Sequence, residues 1–188
     1  MSGRGELWVE RMGVVPYAAA LEYQRDVAKA RIAGTVAEDV LLLVEHPPVV
    51  TLGRSAKEQH LLASPELLAA RGVERFEVER GGDVTFHGPG QLVGYPIIDL
   101  KRHRRDLHWY LRQVEEALIV ALANFGIGGE RSAGQTGVWT QGRKIASIVA
   151  TGNVGCILQI ARCARERGLA VEVVHPIDLL DRAYRGSS

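Results

Sequence analysis

An α/β domain (α+β in its finer arrangement) built on a central mixed sheet with flanking helices is predicted from three features of the chain. Short, almost wholly apolar runs at 40–44 and 49–52 have the length and β-branched content of buried strands. Two longer segments, 16–33 and 107–125, repeat apolar or small residues at helical spacing and are each followed by a glycine, Gly34 and Gly126. Between and after them lie further alternating segments, with glycine, proline and polar residues at the joints.

Taken in order, Leu21, Val27 and Ile32 mark the first helix. The run 40–44 stops at His46-Pro47-Pro48, and 49–52 resumes it before Gly53-Arg54. Ser64 is a cap residue before Pro65, which is suited to the first helical position, and the helix continues to Gly72. Residues 76–80 alternate as a strand and 92–100 read as another. The segment 107–125 is the clearest amphipathic helix. Residues 137–139 and 144–147 form a hairpin around Gln141-Gly142. Beyond 148 the pattern changes to an αβα unit: a loop over 151–156, a helix opening at Cys156 and running to about 167, a strand at 170–174 and a last short helix after Pro176.

With 188 residues the chain has room for one sizeable domain, and 46% hydrophobic with 24% charged residues excludes a disordered or collagen-like protein. A net charge of +1 gives no electrostatic case for nucleic-acid binding, although Lys101-Arg102-His103-Arg104-Arg105 is a local basic cluster. No apolar run is long enough to span a bilayer and the first residues lack the apolar core of a secretion signal, so a cytoplasmic protein without membrane association is expected. Two cysteines, Cys156 and Cys163, are too few for a disulfide framework, and without further Cys/His clusters no metal or cofactor is expected.

The segment 80–91, Arg80-Gly81-Gly82-Asp83-Val84-Thr85-Phe86-His87-Gly88-Pro89-Gly90-Gln91, carries the strongest claim to chemistry. Four glycines in twelve positions permit positive φ and close approach of backbone to a ligand, while Pro89 stiffens the turn after His87. An ordinary glycine-rich turn would not account for Arg80, Thr85, His87 and Gln91 gathered there, so the segment is predicted to line a pocket. Lys144, on an expected strand, is a candidate base or thiol-activating amine, a weak signal when taken alone.

Together, Glu45-His46-Pro47-Pro48-Val49-Val50-Thr51-Leu52-Gly53-Arg54, the 80–91 stretch, Gly137-Val138-Trp139 and Arg143-Lys144-Ile145-Ala146-Ser147 resemble, in order and spacing, the octanoyltransferases of lipoate biosynthesis over about residues 7–148. The resemblance implies the α/β fold of the lipoate and biotin protein ligases. It also implies transfer of an octanoyl group from octanoyl-acyl carrier protein to a lysine of lipoyl domains, those of 2-oxoacid dehydrogenases and the glycine-cleavage H protein, through a cysteine thioester. By that resemblance Arg80, Gly81, Gly82, Asp83, Val84, Thr85, Phe86 and His87 contact the acyl donor, and Lys144 lowers the pKa of the thiol. Ser147, Ile148 and Val149 begin a further substrate-binding stretch, with Val149 standing where the family has glycine.

The family continues with His-Gly-x-Ala-Leu-Asn and a Pro-Cys-Gly that supplies the nucleophile, and this chain carries neither. Residues 149–188 instead resemble the C-terminal end of the iron-sulfur subunit of glycolate oxidase, through 150–160 and 174–184, without the partner cysteines of that domain. The expectation is an incomplete octanoyltransferase domain over 1–148 joined to an unrelated tail over 149–188, by natural fusion or by assembly error. Loss of the nucleophile makes an inactive enzyme one expectation; the second option is Cys156 as a substitute nucleophile, activated at the start of its expected helix. The competing readings are a non-catalytic module that binds acyl carrier protein or lipoyl domains, and a lipoate-protein ligase that uses ATP. An electron-transfer fragment, suggested by the tail, would carry iron.

Overall fold

The computed structural model describes residues 6–150 and the backbone of the strand Cys156–Ile160. The chain divides into two compact units, one of residues 1–97 with 149–157 and one of residues 98–148 with 158–188. The mixed α/β composition expected from the sequence is present in strands and helices alike.

The first unit begins with strand β1 (Leu7–Val14), then helix α1 (Tyr17–Ala33) and strand β2 (Asp39–Glu45). Strand β1 was absent from the sequence reading; it pairs in parallel with β2, slipping one residue between Arg11 and Gly13. Its charges Glu10 and Arg11 and its glycine obscure the alternation that would have marked it. Strand β2 is buried nearly throughout, as its unbroken apolar run requires. Helix α1 buries Tyr17, Ala20, Gln24 and Ala28, a stripe at three- and four-residue spacing. It ends where expected: Gly34 takes φ 76° and donates its N–H to the Ala30 and Arg31 carbonyls.

Strand β3 (Val49–Leu52), helix α2 (Pro65–Ala70), strands β4 (Glu74–Glu77), β5 (Val84–His87) and β6 (Leu92–Ile97) follow in this unit. Ser64 caps α2 by accepting from the Leu67 N–H at 3.3 Å. Strand β6 lies antiparallel to β2, so Leu42 faces Tyr95, Val40 faces Ile97 and Val44 faces Val93. These six residues and Ala28 form the core of the unit. In a second sheet β3 is central, parallel to β4 and antiparallel to β5, and its Val50 and Leu52 pack with Leu68.

The expected strand at 76–80 is shifted to Glu74–Glu77, because the Val78 N–H still reaches the Leu52 carbonyl at 2.9 Å but Arg80 turns inward. The expected strand at 92–100 stops at Ile97. A third of the glycine-rich segment is itself a strand, β5, paired with β3 from Val49–His87 to Leu52–Val84.

In the second unit helix α3 (Leu107–Ala123) is capped by Asp106, whose carboxylate accepts from the Trp109 N–H at 2.9 Å. At its far end Gly126 has φ 71°, and the Ile127 N–H returns to the Leu122 carbonyl at 3.0 Å. Strand β7 (Gly137–Thr140) and strand β8 (Arg143–Ala150) form the expected hairpin. Gln141 at φ 50° and Gly142 at φ 72° make its two-residue turn, since positive φ at both positions matches the twist of the strands.

Strand β9 (Cys156–Ile160) corrects the sequence reading, which placed a helix from Cys156. Cys-Ile-Leu-Gln-Ile is a short apolar run with two isoleucines, too brief for periodicity to separate helix from strand, and its β-branched content suits the pleat. The remainder of the expected αβα unit, including Cys163, lies outside the described residues.

Candidate functional site

In the first unit the site segment is tied down from both ends. At its start Arg80 is 3% exposed, and its guanidinium donates from Nη2 to Thr51 Oγ1 and the Thr51 carbonyl, both at 2.8 Å. Nε adds a 3.3 Å bond to Thr51 Oγ1 and Nη1 reaches the Gly81 carbonyl at 2.9 Å. Burial pulls the Arg80 pKa down, opposed by Tyr17, Asp83 and Tyr95, and an arginine remains a cation under such conditions. Arg80 is thereby a brace between β3 and the glycine-rich segment.

Gly53 lets that brace close. A Cβ at Gly53 would lie 2.4 Å from the Gly82 carbonyl oxygen, 2.7 Å from Arg80 Nη1 and 2.9 Å from the Gly81 oxygen. Backbone bonds run across the same approach, from the Gly53 N–H to the Asp83 carbonyl at 3.2 Å and from the Ser55 N–H to the Gly82 carbonyl at 3.1 Å. Asp83 meets His60 Nδ1 directly. Desolvation opposes ionisation of Asp83, but the Val84 and Lys57 backbone N–H groups and His60 outweigh it and hold the carboxyl below its ordinary range. Val149 is half-buried beside this loop, its Cγ1 3.9 Å from where a Cβ on Gly82 would stand.

At the other end, Val84 packs on the core beneath β3, Thr85 is half-buried and Phe86 is 54% exposed. His87 is fully buried and bonds through Nδ1 to Gln91 Oε1 at 2.8 Å. An amide oxygen accepts, so Nδ1 carries the proton in the neutral ring and Nε2 is the lone-pair nitrogen. Burial pushes the His87 pKa down to about 4, with His46 and Arg80 adding to the effect and Gln91 opposing it. The turn after His87 is held by Glu45, whose carboxylate accepts from the Gly90 N–H at 2.6 Å.

Three residues that sequence reasoning did not single out complete the cluster: Tyr17 and His46 meet His87, and Tyr95 meets His46. Tyr17 stacks on His87 with ring centroids 6.3 Å apart, and His46 meets it edge-on at 5.6 Å. His46 donates from Nδ1 to the Val15 carbonyl at 2.7 Å and accepts at Nε2 from the Tyr95 hydroxyl at 2.8 Å. Those partners fix its neutral tautomer, and burial lowers its pKa despite the Val15 bond. Burial also raises Tyr95 and Tyr17 far from ionisation at neutral pH. The cluster is a neutral, largely apolar floor with hydrogen-bonding edges. Its one sequence signal was His46 within the quoted Glu45 to Arg54 block.

The second unit holds Lys144, Ser147 and Ile148. Lys144 Nζ lies 4.8 Å from the centroid of the Trp139 ring, a cation–π contact. Partial burial lowers the Lys144 pKa, while the negative charge of Glu115 opposes the drop. Ser147 is half-buried and paired with Gly137, and Ile148 is buried. Glu115, fully buried on α3, was missed; its signal is a carboxylate on the apolar stripe that includes Leu118 and Leu122.

Cys156 stands at the start of β9, which removes the helix-terminus argument for activating its thiol. Among the described residues no group of three or more His, Cys, Asp or Glu is arranged to hold a metal ion. Nor is any described helix long and apolar enough to cross a membrane.

Comparison with known proteins gives this arrangement a family context. The lipoyl protein ligase A/B catalytic domain family matches residues 16–161, a span that runs beyond residue 148 and through β9. An octanoyltransferase of Gloeobacter violaceus is 48% identical over 170 residues, covering 90% of this chain and 71% of its own length. An octanoyltransferase of Thermosynechococcus vestitus is 44% identical over 170 residues, covering 90% of this chain and 70% of its own. Among solved structures, a bi-partite lipoate protein ligase of Thermoplasma acidophilum superposes with a TM-score of 0.61 at 15% identity, over 97% of this chain and 81% of that one. At that identity the likeness speaks for the fold alone.

Proposed function

This chain belongs to the octanoyltransferase family built on the lipoyl protein ligase A/B catalytic domain, and from that premise we propose that it transfers an octanoyl group from octanoyl-acyl carrier protein to a lysine of a lipoyl domain. The acceptors are the lipoyl domains of 2-oxoacid dehydrogenases and the glycine-cleavage H protein, and the setting is the cytoplasm. The observation that carries the reading is the braced segment Arg80 to His87. It is pinned to Thr51 by the Arg80 side chain, to Gly53 and Ser55 by backbone bonds and to Gln91 by the His87 ring, so a ligand meets a surface ordered in advance. Exposed Phe86 offers apolar contact to an acyl chain, over a floor whose histidines are held neutral.

The chemistry proceeds in two exchanges. A thiolate attacks the carrier's thioester carbonyl, forming an enzyme thioester and releasing the carrier thiol. The target lysine, as a free amine, then attacks the enzyme thioester, giving an amide and restoring the thiol. Lys144 serves this route as the ammonium that favours the thiolate, and Ser147, Ile148 and Val149 as substrate contacts. Cys156 and Cys163 are the thiols available in the sequence.

The test is an intact-mass measurement of the purified chain after incubation with octanoyl-acyl carrier protein, before and after hydroxylamine. A hydroxylamine-sensitive octanoyl adduct on Cys156 or Cys163 is the expected result. No adduct, with carrier binding retained, overturns the transfer reading in favour of a binding module; the absence of both Pro-Cys-Gly and His-Gly-x-Ala-Leu-Asn is the observation that favours that alternative. Adenylate formation from lipoate and ATP would replace both with a ligase.

A further inference from the structure

Lys144 owes its direction to an irregularity in the β7–β8 hairpin. The pairs Gly137–Ser147 and Val138–Ala146 are in one register, and Trp139–Lys144 and Thr140–Arg143 in the next, so β8 carries one extra residue, Ile145, between them. Lys144 and Ser147, three apart in sequence, would face opposite sides of a regular strand. The extra residue sets Lys144 opposite Trp139 and therefore on the side shared by Gly137 and Ser147.

That side is kept open by glycine. Gly137 has φ 134°, and a Cβ there would stand 2.7 Å from Lys144 Cε, 3.5 Å from Lys144 Nζ and 2.5 Å from the Ala146 carbonyl oxygen. The lysine stem thus crosses the position a side chain would occupy and brings Nζ onto the Trp139 ring.

Gly137 is in turn held by Glu115. The carboxylate accepts from the Gly137 N–H at 3.0 Å through Oε1, while Oε2 receives Arg112 Nη1 at 2.5 Å and Arg131 Nε at 3.3 Å. A fully buried carboxylate with donors on both oxygens is a rigid anchor, and it joins α3 to β7.

We propose that Glu115 and Gly137 are positioning residues for Lys144: Glu115 fixes the start of β7, and Gly137 provides the side-chain-free channel that aims the ammonium along the Trp139 face. The proposal rests on the reading of Lys144 as the amine that tunes the reacting thiol. Its test reads the amine itself, so its failure and the failure of octanoyl transfer are separate results.

The experiment is competitive acetylation of the full chain with acetic anhydride across a pH series, resolved by peptide mass, with exposed Lys101 as internal reference. Gly137→Ala displaces the stem toward solvent, and the Lys144 titration rises. Glu115→Gln keeps an acceptor for the Gly137 N–H but removes the negative charge that opposes the drop and faces Arg112 and Arg131, so the Lys144 titration falls further. These opposite movements in folded variants support the proposal. Titrations that match the parent chain, with circular dichroism and thermal transition unchanged, overturn it. If Gly137→Ala does not fold, Glu115→Gln carries the test: a fall supports the proposal, and an unchanged or raised titration overturns it.

Discussion

Arg80 grips Thr51 by both its side chain and its main chain, with Nη2 at 2.8 Å from Oγ1 and 2.8 Å from the carbonyl oxygen. The two residues are 29 apart in sequence, so this contact closes the stretch between β3 and the glycine-rich segment. The planar guanidinium matters because its donors diverge at fixed angles, reaching Thr51 and the Gly81 carbonyl together.

Arg80→Lys is therefore not conservative. An ammonium cannot reproduce the fork, and the buried charge loses partners, so stability falls by about 3 kcal/mol. Urea denaturation measures this loss; a midpoint equal to that of the parent would show that the brace is dispensable. Thr51→Val, which retains the carbonyl acceptor, costs less, about 1–2 kcal/mol.

Gly53→Ala introduces a methyl 2.4 Å from one backbone oxygen and 2.9 Å from another. Backbone cannot swing aside as a flexible side chain does, so the 80–83 segment must move, at about 1–3 kcal/mol. The expected outcome is a lower thermal midpoint together with weakened binding of octanoyl-acyl carrier protein. Gly34→Ala in the same assay is a control whose Cβ meets nothing within 4 Å; its cost is the positive φ alone, and carrier binding stays intact.

The buried histidines make stability fall in mild acid. His87 has a folded pKa of about 4 against 6.5 when unfolded, so the unfolded chain takes up the proton first. Its contribution is complete above pH 6.5 and is lost progressively as the pH falls toward 4, to on the order of 3 kcal/mol. His46 adds a loss of the same sign, since its pKa is also lowered by burial. Denaturation curves between pH 7.5 and 4.5 (roughly the span of both titrations) should show the decline for the parent chain and a shallower one for His87→Gln.

Lys144→Ala separates chemistry from folding. The side chain is exposed and its main contact is the Trp139 ring, so its loss costs about 1 kcal/mol or less. Formation of the octanoyl adduct should nevertheless fall by about two orders of magnitude, as when an activating group is removed from a nucleophile. Equal adduct rates for parent and variant would exclude Lys144 from the thiol's environment.

Local chemistry sufficed for much of the fold. The ends of α1 and α2 follow from Gly34, Ser64 and Pro65, because capping and positive φ are decided by neighbouring residues. The buried runs β2 and β3 and the Gln141-Gly142 hairpin were legible for the same reason. The glycine-rich segment reads as a loop in sequence, but its middle third is a strand; pairing with β3 decides that, and β3 ends 32 residues before β5 begins. Strand β1 depends likewise on its parallel partner β2, and β9 adopts the extended form where a short apolar run allowed either.

What the sequence alone determined was the family pattern and the element types with strong local signals. Tertiary structure decided which of them meet. Tyr17 and His46 meet His87, and Tyr95 meets His46, because α1, the end of β2 and β6 converge there, and no local preference encodes such a meeting. Glu115 is one carboxylate among many along the chain until packing of α3 places it at Gly137. Turn and cap preferences act over a few residues, whereas burial and buried hydrogen bonding are set by partners distant in sequence; the chemistry of this site belongs to the second kind.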